Sequence, residues 1–399
     1  MVNVQAPEIS FDNTEIAFAR IPTRELRRAQ WLFGLMNNRW LVQAGTRMVP
    51  LMFRLRLPIK GLVKRTIYAH FCGGENIQEF LHTAAGLAAG GVFAILDYGV
   101  EGKESEAEFD RTMDEITRAI HAAGPSGTVK FASLKVTGIA RFALLEKKQT
   151  GAALTPEEET EWSRVVVRMK KICEAARQES IGIMVDAEES WIQQPVDDLT
   201  HEMMQLYNRD QAVVMNTFQL YRTDRLNFLQ HSFGLAREGN YLLGAKLVRG
   251  AYMEKERKRA QLQGYASPIQ PDKEHSDRDY NEAVKFCLQH LEQISVCVAS
   301  HNEGSNRLAL DLAGAMDIPL HHPHLHFSQL LGMSDNLSFN LAHAGAQVTK
   351  YVPYGPVKDV VPYLMRRAQE NTSVQGQTGR ELNLLQRELT RRKRQPKDF

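Results

Sequence analysis

The sequence predicts a barrel of eight parallel strands alternating with helices, preceded by a helical extension. Three observations carry that prediction. Eight short β-type runs recur between Val92 and Val352, separated by helix-length amphipathic stretches, over about 270 residues. Unusual polar residues gather at the C-terminal ends of those runs, where barrels of this class keep their working groups. The chain ahead of the first run follows helical periodicity instead. The reading divides the chain into a basic helical extension over 1–89, a (βα)8 barrel over 90–375 and a charged C-terminal helix and tail over 376–399.

Composition sets outer bounds. A chain of 399 residues with 43% apolar and 24% charged side chains fits an ordinary globular protein, and a net charge of +2 makes no case for nucleic acid. Cys72, Cys173, Cys287 and Cys297 are scattered without a CxxC pair, which fits reduced thiols in a cytosol-like compartment. No apolar run reaches the roughly 18 residues of a membrane span. The opening MVNVQAPEISFDNTE is acidic and has no apolar core, unlike a signal or transit peptide. No G-x-G-x-x-G occurs, so a bound dinucleotide would not use a Rossmann turn.

In chain order, residues 1–15 read as a loose lead-in. From Ile16 to about Ala85 the pattern is helical, with Trp31, Leu32, Leu35, Trp40, Leu41, Val49, Leu51 and Met52 as apolar stripes. Eleven Lys and Arg from Arg20 to Arg65 face only Glu25. The preferred reading is a helical cap with its basic side in water; the alternative is a patch resting on an anionic membrane surface. Then come the runs VFAILDYG (92–99), VKFASLKVTG (129–138), IGIMVDAEE (181–189) and AVVMNTFQLY (212–221). LLGAKLVRGAY (242–252), ISVCVAS (294–300), a weaker IPLHHPHLHF (318–327) and AQVTKYV (346–352) follow. The polar insert KKQTGAALTPEEETE within 140–180 reads as a surface excursion.

The run ends carry the chemistry. The first ends in Asp97, Tyr98 and Glu101; the second carries Lys135, with Ser133 and Thr137 on the same side by strand alternation. The third ends in Asp186, Glu188 and Glu189; the fourth carries Asn216 and Gln219. The fifth carries Lys246, Arg249, Gly250 and Tyr252, and the sixth ends in Ser300, His301 and Asn302. A lysine inside a barrel must be paired, because desolvating it alone costs several kcal/mol; Asp186 and a bound anion are its candidate partners. After the eighth run, YVPYGPVKDVVPYLMRRAQEN (351–371) turns at Gly355 and restarts as a helix at Pro356. Tyr363, Arg366, Arg367 and Glu370 share a face of that helix at i, i+3, i+4 and i+7, while Val357, Val360, Val361 and Leu364 remain to pack. Such a face offers two forked donors to a carboxylate. Arg391, Arg392, Lys393 and Arg394 lack that context and read as a basic tail.

KYVPYG followed by YLMRRAQEN resembles the C-terminal signature of the proline dehydrogenases, flavoenzymes on a distorted (βα)8 barrel. LDYGVEG, SLKVTG, VDAEE, NTFQLY, GAKLVRGAY and SHN match the same family in order, over roughly residues 90–375. The resemblance implies non-covalent FAD, oxidation of L-proline to Δ1-pyrroline-5-carboxylate by hydride transfer from C5 to flavin N5, and a quinone as electron acceptor. It implies that Arg366 and Arg367 clamp the proline carboxylate, that Glu370 braces them, and that Glu101 closes an ion pair with the helix arginines. Lys135 matches a lysine supporting the carboxylate, and Asp186 an acid near substrate and flavin. Tyr351, Tyr363 and Leu330 match walls of the proline ring. Gln219, Lys246, Arg249, Gly250, Tyr252 and His301 fall where the family contacts the flavin. Bifunctional bacterial members carry an arginine at the position of Lys246; GAKLVRGAY resembles the branch that includes the mitochondrial enzymes.

With no second large domain in the sequence, the expectation is a monofunctional, cytoplasmic enzyme, in the alternative peripheral at the inner face of the membrane. Its product would pass to a separate pyrroline-5-carboxylate dehydrogenase. Three other readings compete. A hydroxyproline dehydrogenase shares the scaffold, but that subgroup tends to have a smaller residue at the position of Tyr351. A catalytically silent barrel would have lost a clamp or flavin position, and none is lost. The histidines of HHPHLH (321–326) would make a metal site only with help from cysteine or carboxylate, so no metal is expected.

Overall fold

The computed structural model describes residues 9–55, 57–99, 104–373 and 377–394. Glu101 lies outside them. Eight strands, β1 (Val92–Tyr98), β2 (Val129–Leu134), β3 (Gly182–Val185), β4 (Val214–Gln219), β5 (Leu243–Val248), β6 (Ile294–Ala299), β7 (Leu325–Leu330) and β8 (Gln347–Tyr354), close into a barrel in sequence order. Pairing is parallel from β2 to β7, and its register fixes the interior. Thr217 pairs with Lys246 and Lys246 with Cys297, so three neighbouring strands present these side chains in one layer. The fold class read from the sequence is the one observed.

Four details differ from the sequence reading. The second run stops as a strand at Leu134, and Val136–Gly138 is a 3-10 turn, so Thr137 is not placed by strand alternation. Its N–H and hydroxyl instead donate to Glu188, at 3.1 and 2.5 Å. Asn216 turns out toward the helices, donating to Asp197 (2.9 Å), which also pairs with Arg225 (2.8 Å). β7 begins only after Pro323 and runs through Ser328 and Gln329. Pro319 and Pro323 lack the N–H a ladder needs, and the inserted polar residues broke the apolar run that periodicity follows. The insert within 140–180 contains two helix ends: helix Phe142–Gln149 finishes there, and helix Pro156–Gln178 starts from a Thr155/Glu158 capping box.

The chain forms two compact units, one from the segments up to Ala94 and from Gln329 onward, the other from Ile95–Ser328. In the first, helix Val357–Ser373 buries Val357, Val360, Val361 and Leu364, as its pattern requires. Helix Gln377–Arg394 packs Leu384, Leu385 and Leu389 against Phe18, Leu26 and Phe33. Its basic end is not a plain tail. Arg391 and Arg392 both bond the fully buried Glu388 (2.8 and 2.6 Å), and Arg392 caps the carbonyls of Phe18 and Ile21. All four cysteines are buried, and none is in a disulfide.

The apolar residues of the N-terminal helices split differently from expectation. Leu32 is buried and Val49 packs inward, but Trp31, Leu35, Trp40, Leu41 and Leu51 are exposed. Helix Arg39–Arg54 is apolar over more than half of its circumference, so periodicity alone could not choose which part of that arc faces inward.

Candidate active site

Within the Ile95–Ser328 unit, the ends of β2 to β6 bring the expected polar residues together in connected pairs. Lys246, 7% exposed, donates from Nζ to Asp186 Oδ1 at 2.5 Å, bridging β5 and the end of β3. That satisfies the requirement that an interior lysine be paired. Lys135 follows β2, half-buried, and its charge acts on Glu188. Burial raises the Glu188 carboxyl to about 7, against the pull of Lys135 and of the two Thr137 donors. The backbone carbonyl of Glu188 takes the side-chain amide of Gln219 at 3.1 Å. Gln219 Oε1 is buried and accepts nothing from the protein. By strand alternation Gln219 shares the inward face of Thr217, one step nearer the C-terminal end.

Past β5, Arg249 is fixed on three sides. Nε donates to Asp277 (2.7 Å), Nη1 to Ser300 Oγ and Nη2 to Ser305 Oγ (both 2.9 Å), with the guanidinium 4.4 Å over the Tyr280 ring. Gly250 takes φ +135°, and a Cβ there would stand 2.4 Å from the Tyr221 ring, so only glycine fits. Tyr252, half-buried, precedes helix Met253–Gln263. His301, half-buried, lies just beyond β6, where Asn302 caps helix Glu303–Ala315 by accepting from Ser305 N (2.9 Å). Arg249 thus reaches the first turn of a helix whose N–H groups favour anions.

The other unit holds the remaining candidates. β8 leads through Gly355 (φ +139°) into helix Val357–Ser373. The turn is pinned by Tyr68 OH donating to Gly355 O (2.7 Å) and Gly355 N donating to Gly74 O (2.9 Å). On the helix, Arg366 is half-buried, Arg367 is 8% exposed, and the Arg367 guanidinium stands 5.3 Å over the Tyr363 ring. The Glu370 side chain lies outside the described residues. Tyr351 is half-buried on β8, and its carbonyl takes Leu331 N at 3.0 Å, next to Leu330 at the end of β7.

A family model described as proline dehydrogenase matches residues 80–380. The chain belongs to the proline dehydrogenase family. Among curated relatives, the carbapenem antibiotics biosynthesis protein CarD of Pectobacterium carotovorum subsp. carotovorum is 36% identical over 323 residues, covering 81% of this chain and 83% of that protein. Mitochondrial proline dehydrogenase 1 of Arabidopsis thaliana is 30% identical over 422 residues, 94% of this chain and 85% of its own. The Homo sapiens counterpart is 39% identical over 267 residues, 65% of this chain and 44% of its own. Among solved structures, proline utilization A from Bdellovibrio bacteriovorus superposes with a TM-score of 0.72 at 17% identity, covering 94% of this chain. This chain spans 40% of the length of that one, and the likeness is one of fold.

Two groups of this family member escaped the sequence reading. Lys350 is fully buried, pairs with Asp335 at 2.8 Å and also donates to the carbonyls of Leu330 and Met333. The signal was present in AQVTKYV, a lysine inside an apolar run, and the pairing argument made for Lys135 and Lys246 applied to it equally. His70, which donates from Nε2 to Gly332 O at 2.8 Å, lies where nothing in the sequence marks it. Within HHPHLH, His322 and His324 pack edge to face with ring centroids 5.4 Å apart, and His324 N donates to His322 Nδ1 at 3.1 Å. His324 Nδ1 meets Leu291 O at 2.7 Å and His326 packs edge-on to Phe131, and no cluster of three or more metal-ligand side chains occurs among the described residues.

Proposed function

We propose that this chain oxidises L-proline to Δ1-pyrroline-5-carboxylate using bound FAD, and passes the electrons to a quinone. The observation that carries the reading is Arg367. A guanidinium almost wholly removed from water, stacked on a tyrosine ring and followed by Glu370 one turn on, is an arrangement suited to a small carboxylate. Family membership supplies the substrate class.

The residues at the strand ends fit a flavin. Gln219 offers a buried acceptor lacking a protein donor, as a ring N–H needs, and Gly250 lets the backbone turn tightly over the Tyr221 ring between β5 and Tyr252. Arg249 and His301 stand beside the start of helix Glu303–Ala315, where a pyrophosphate is favoured, and Tyr252 adds an aromatic face. Bound there, FAD would supply the acceptor for the hydride leaving C5 of proline. The protein's part is to orient and exclude water. In this reading Arg366 and Arg367 hold the carboxylate, Tyr351, Tyr363 and Leu330 wall the ring, and Lys135 takes the supporting charge that the family resemblance assigns to it. Lys246 keeps positive charge beside the cofactor while Asp186 holds it in place. The roles assigned to Glu370, bracing the arginines, and to Glu101, closing an ion pair with them, rest on the family resemblance.

The test is product formation. FAD-loaded protein, L-proline and a soluble quinone should yield a cyclic imine that o-aminobenzaldehyde traps as a coloured adduct. Absence of adduct with proline but its appearance with 4-hydroxyproline would reassign the substrate; absence with both would remove the reading.

A further inference from the structure

Two fastenings flank Lys135 in the Ile95–Ser328 unit. Just before it, the carbonyl of Leu134 accepts from Asp186 N at 2.8 Å, which holds β2 to the loop leaving β3. Just after it comes the 3-10 turn Val136–Gly138, closed by Gly138 N donating to Lys135 O at 2.9 Å. The middle residue of that turn, Thr137, gives both its donors to one carboxyl group. Glu188 Oε1 accepts from its backbone N–H at 3.1 Å and Oε2 from its hydroxyl at 2.5 Å. Backbone pairing therefore holds the chain up to Leu134, and the side chain of Glu188 takes over beyond Lys135.

Of the two partners, Glu188 is the anchored one. It is 4% exposed; its N–H donates to Gln193 Oε1 at 2.8 Å and its carbonyl accepts from Gln219 at 3.1 Å. Gln193 donates in turn to Asp197 (2.9 Å), which also holds Asn216 and Arg225 and is 1% exposed. Glu188 is thus rooted through its backbone in a buried polar network, and its carboxyl fastens the turn to that network.

Charge separates a positioning role from plain loop packing. Burying a carboxyl is costly, and apolar side chains often replace buried ion pairs without loss of stability. The charged groups acting on the Glu188 carboxyl are Lys135, which favours its ionised form, and Glu189, which opposes it and is itself paired with Lys255. An acid at this position therefore acts on Lys135 twice, by fixing the turn that begins there and by attracting its ammonium.

We infer that Glu188 is a positioning residue, which holds Lys135 where it can support the substrate carboxylate. The inference rests on the role given to Lys135 in the proposed reaction. Glu188 acts through Lys135 and has no contact with substrate in it.

The experiment is calorimetric titration of the full FAD-loaded chain with cyclopentanecarboxylate. This ligand keeps the ring and carboxylate of proline and lacks the amine, so protonation of an amine does not enter. Wild type, Lys135→Ala, Glu188→Gln and the double variant form a cycle. Glu188→Gln, which keeps size and one oxygen acceptor, should weaken binding about tenfold, and Lys135→Ala at least as much. The double variant should bind no more weakly than Lys135→Ala alone, because Glu188 has nothing left to position. Thr137→Val leaves the acid in place and removes the hydroxyl; it should weaken binding about threefold, and it serves if Glu188→Gln fails to fold. In turnover with proline, Glu188→Gln should raise KM while kcat stays within about twofold, a split that general loosening of the loop would not give. Binding unchanged in both Glu188→Gln and Thr137→Val, or losses that add fully in the double variant, would overturn the inference and leave the proposed function intact. So would Lys135→Ala binding as tightly as the wild type. A wild type that binds neither cyclopentanecarboxylate nor proline would overturn the proposed function and the inference with it.

Discussion

Arg367 loses nearly all its contact with water at 8% exposure and gains the Tyr363 ring. Under the proposed reaction, its charge is most strongly compensated when a carboxylate is bound. Replacing it with alanine should raise KM for proline about 10- to 100-fold, the size of one lost charge-assisted hydrogen bond, measured in steady-state kinetics on FAD-loaded protein. A KM unchanged in both Arg366→Ala and Arg367→Ala would remove the clamp. Glu188 makes a separate claim about pH. Its folded pKa, pushed up to about 7, lies above the value near 4.3 expected in the unfolded chain, so the native state holds this proton longer. Its contribution is therefore complete below the unfolded value and is lost as pH rises through about 7, a decline of roughly 4 kcal/mol at most. Urea midpoints should fall between pH near 4.5 and pH near 7.5 in the wild type, and less steeply in Glu188→Gln. Equal slopes in the two proteins would show that another group carries the dependence. At this scale the sequence was legible where chemistry forces pairing. Lys246 and Asp186 were expected as partners and meet at 2.5 Å, whereas Thr137 was misplaced because strand alternation was extended past the residue where β2 stops.

At the scale of elements, the passage from β8 to helix Val357–Ser373 depends on a buried lysine. Lys350 holds Asp335 and the carbonyls of Leu330 and Met333, so it ties the end of β7 to the strand that carries Tyr351. Lys350→Met would leave a carboxylate and two carbonyls without their cation. Loss of about 3–5 kcal/mol is expected, read as a fall in the thermal or urea midpoint. A variant as stable as the wild type would mean that water or a neighbour replaces the pair. Strand positions were readable for seven of the eight runs because each is a compact apolar block. The seventh slipped toward the C-terminus because Pro319 and Pro323 interrupt the run 318–327 and the polar Ser328-Gln329 lie just past its end. The capping box at Thr155 was readable in principle, since T-P-E-E is a helix-start signature, yet its polarity suggested a loop. Thr155→Ala should lower stability by about 1 kcal/mol in chemical denaturation, and no change would mean that the cap is redundant there.

Over the whole molecule, an eight-stranded closed barrel and membership of the proline dehydrogenase family agree with what alternation and motif order implied. The N-terminal helices were the least legible part. Their stripes looked like core, and only the structure separates the buried face of helix Arg39–Arg54 from the one left in water. Hydrophobic pattern reports that a face wants to leave water but not what will cover it. The most direct test of the account is an anaerobic spectrum of the FAD-loaded protein titrated with L-proline. The account predicts that the long-wavelength flavin band bleaches with proline and stays intact in the Arg366→Ala/Arg367→Ala double variant at the same concentration. A band that proline leaves untouched in the wild-type protein, or a purified protein that takes up no FAD at all, would contradict it.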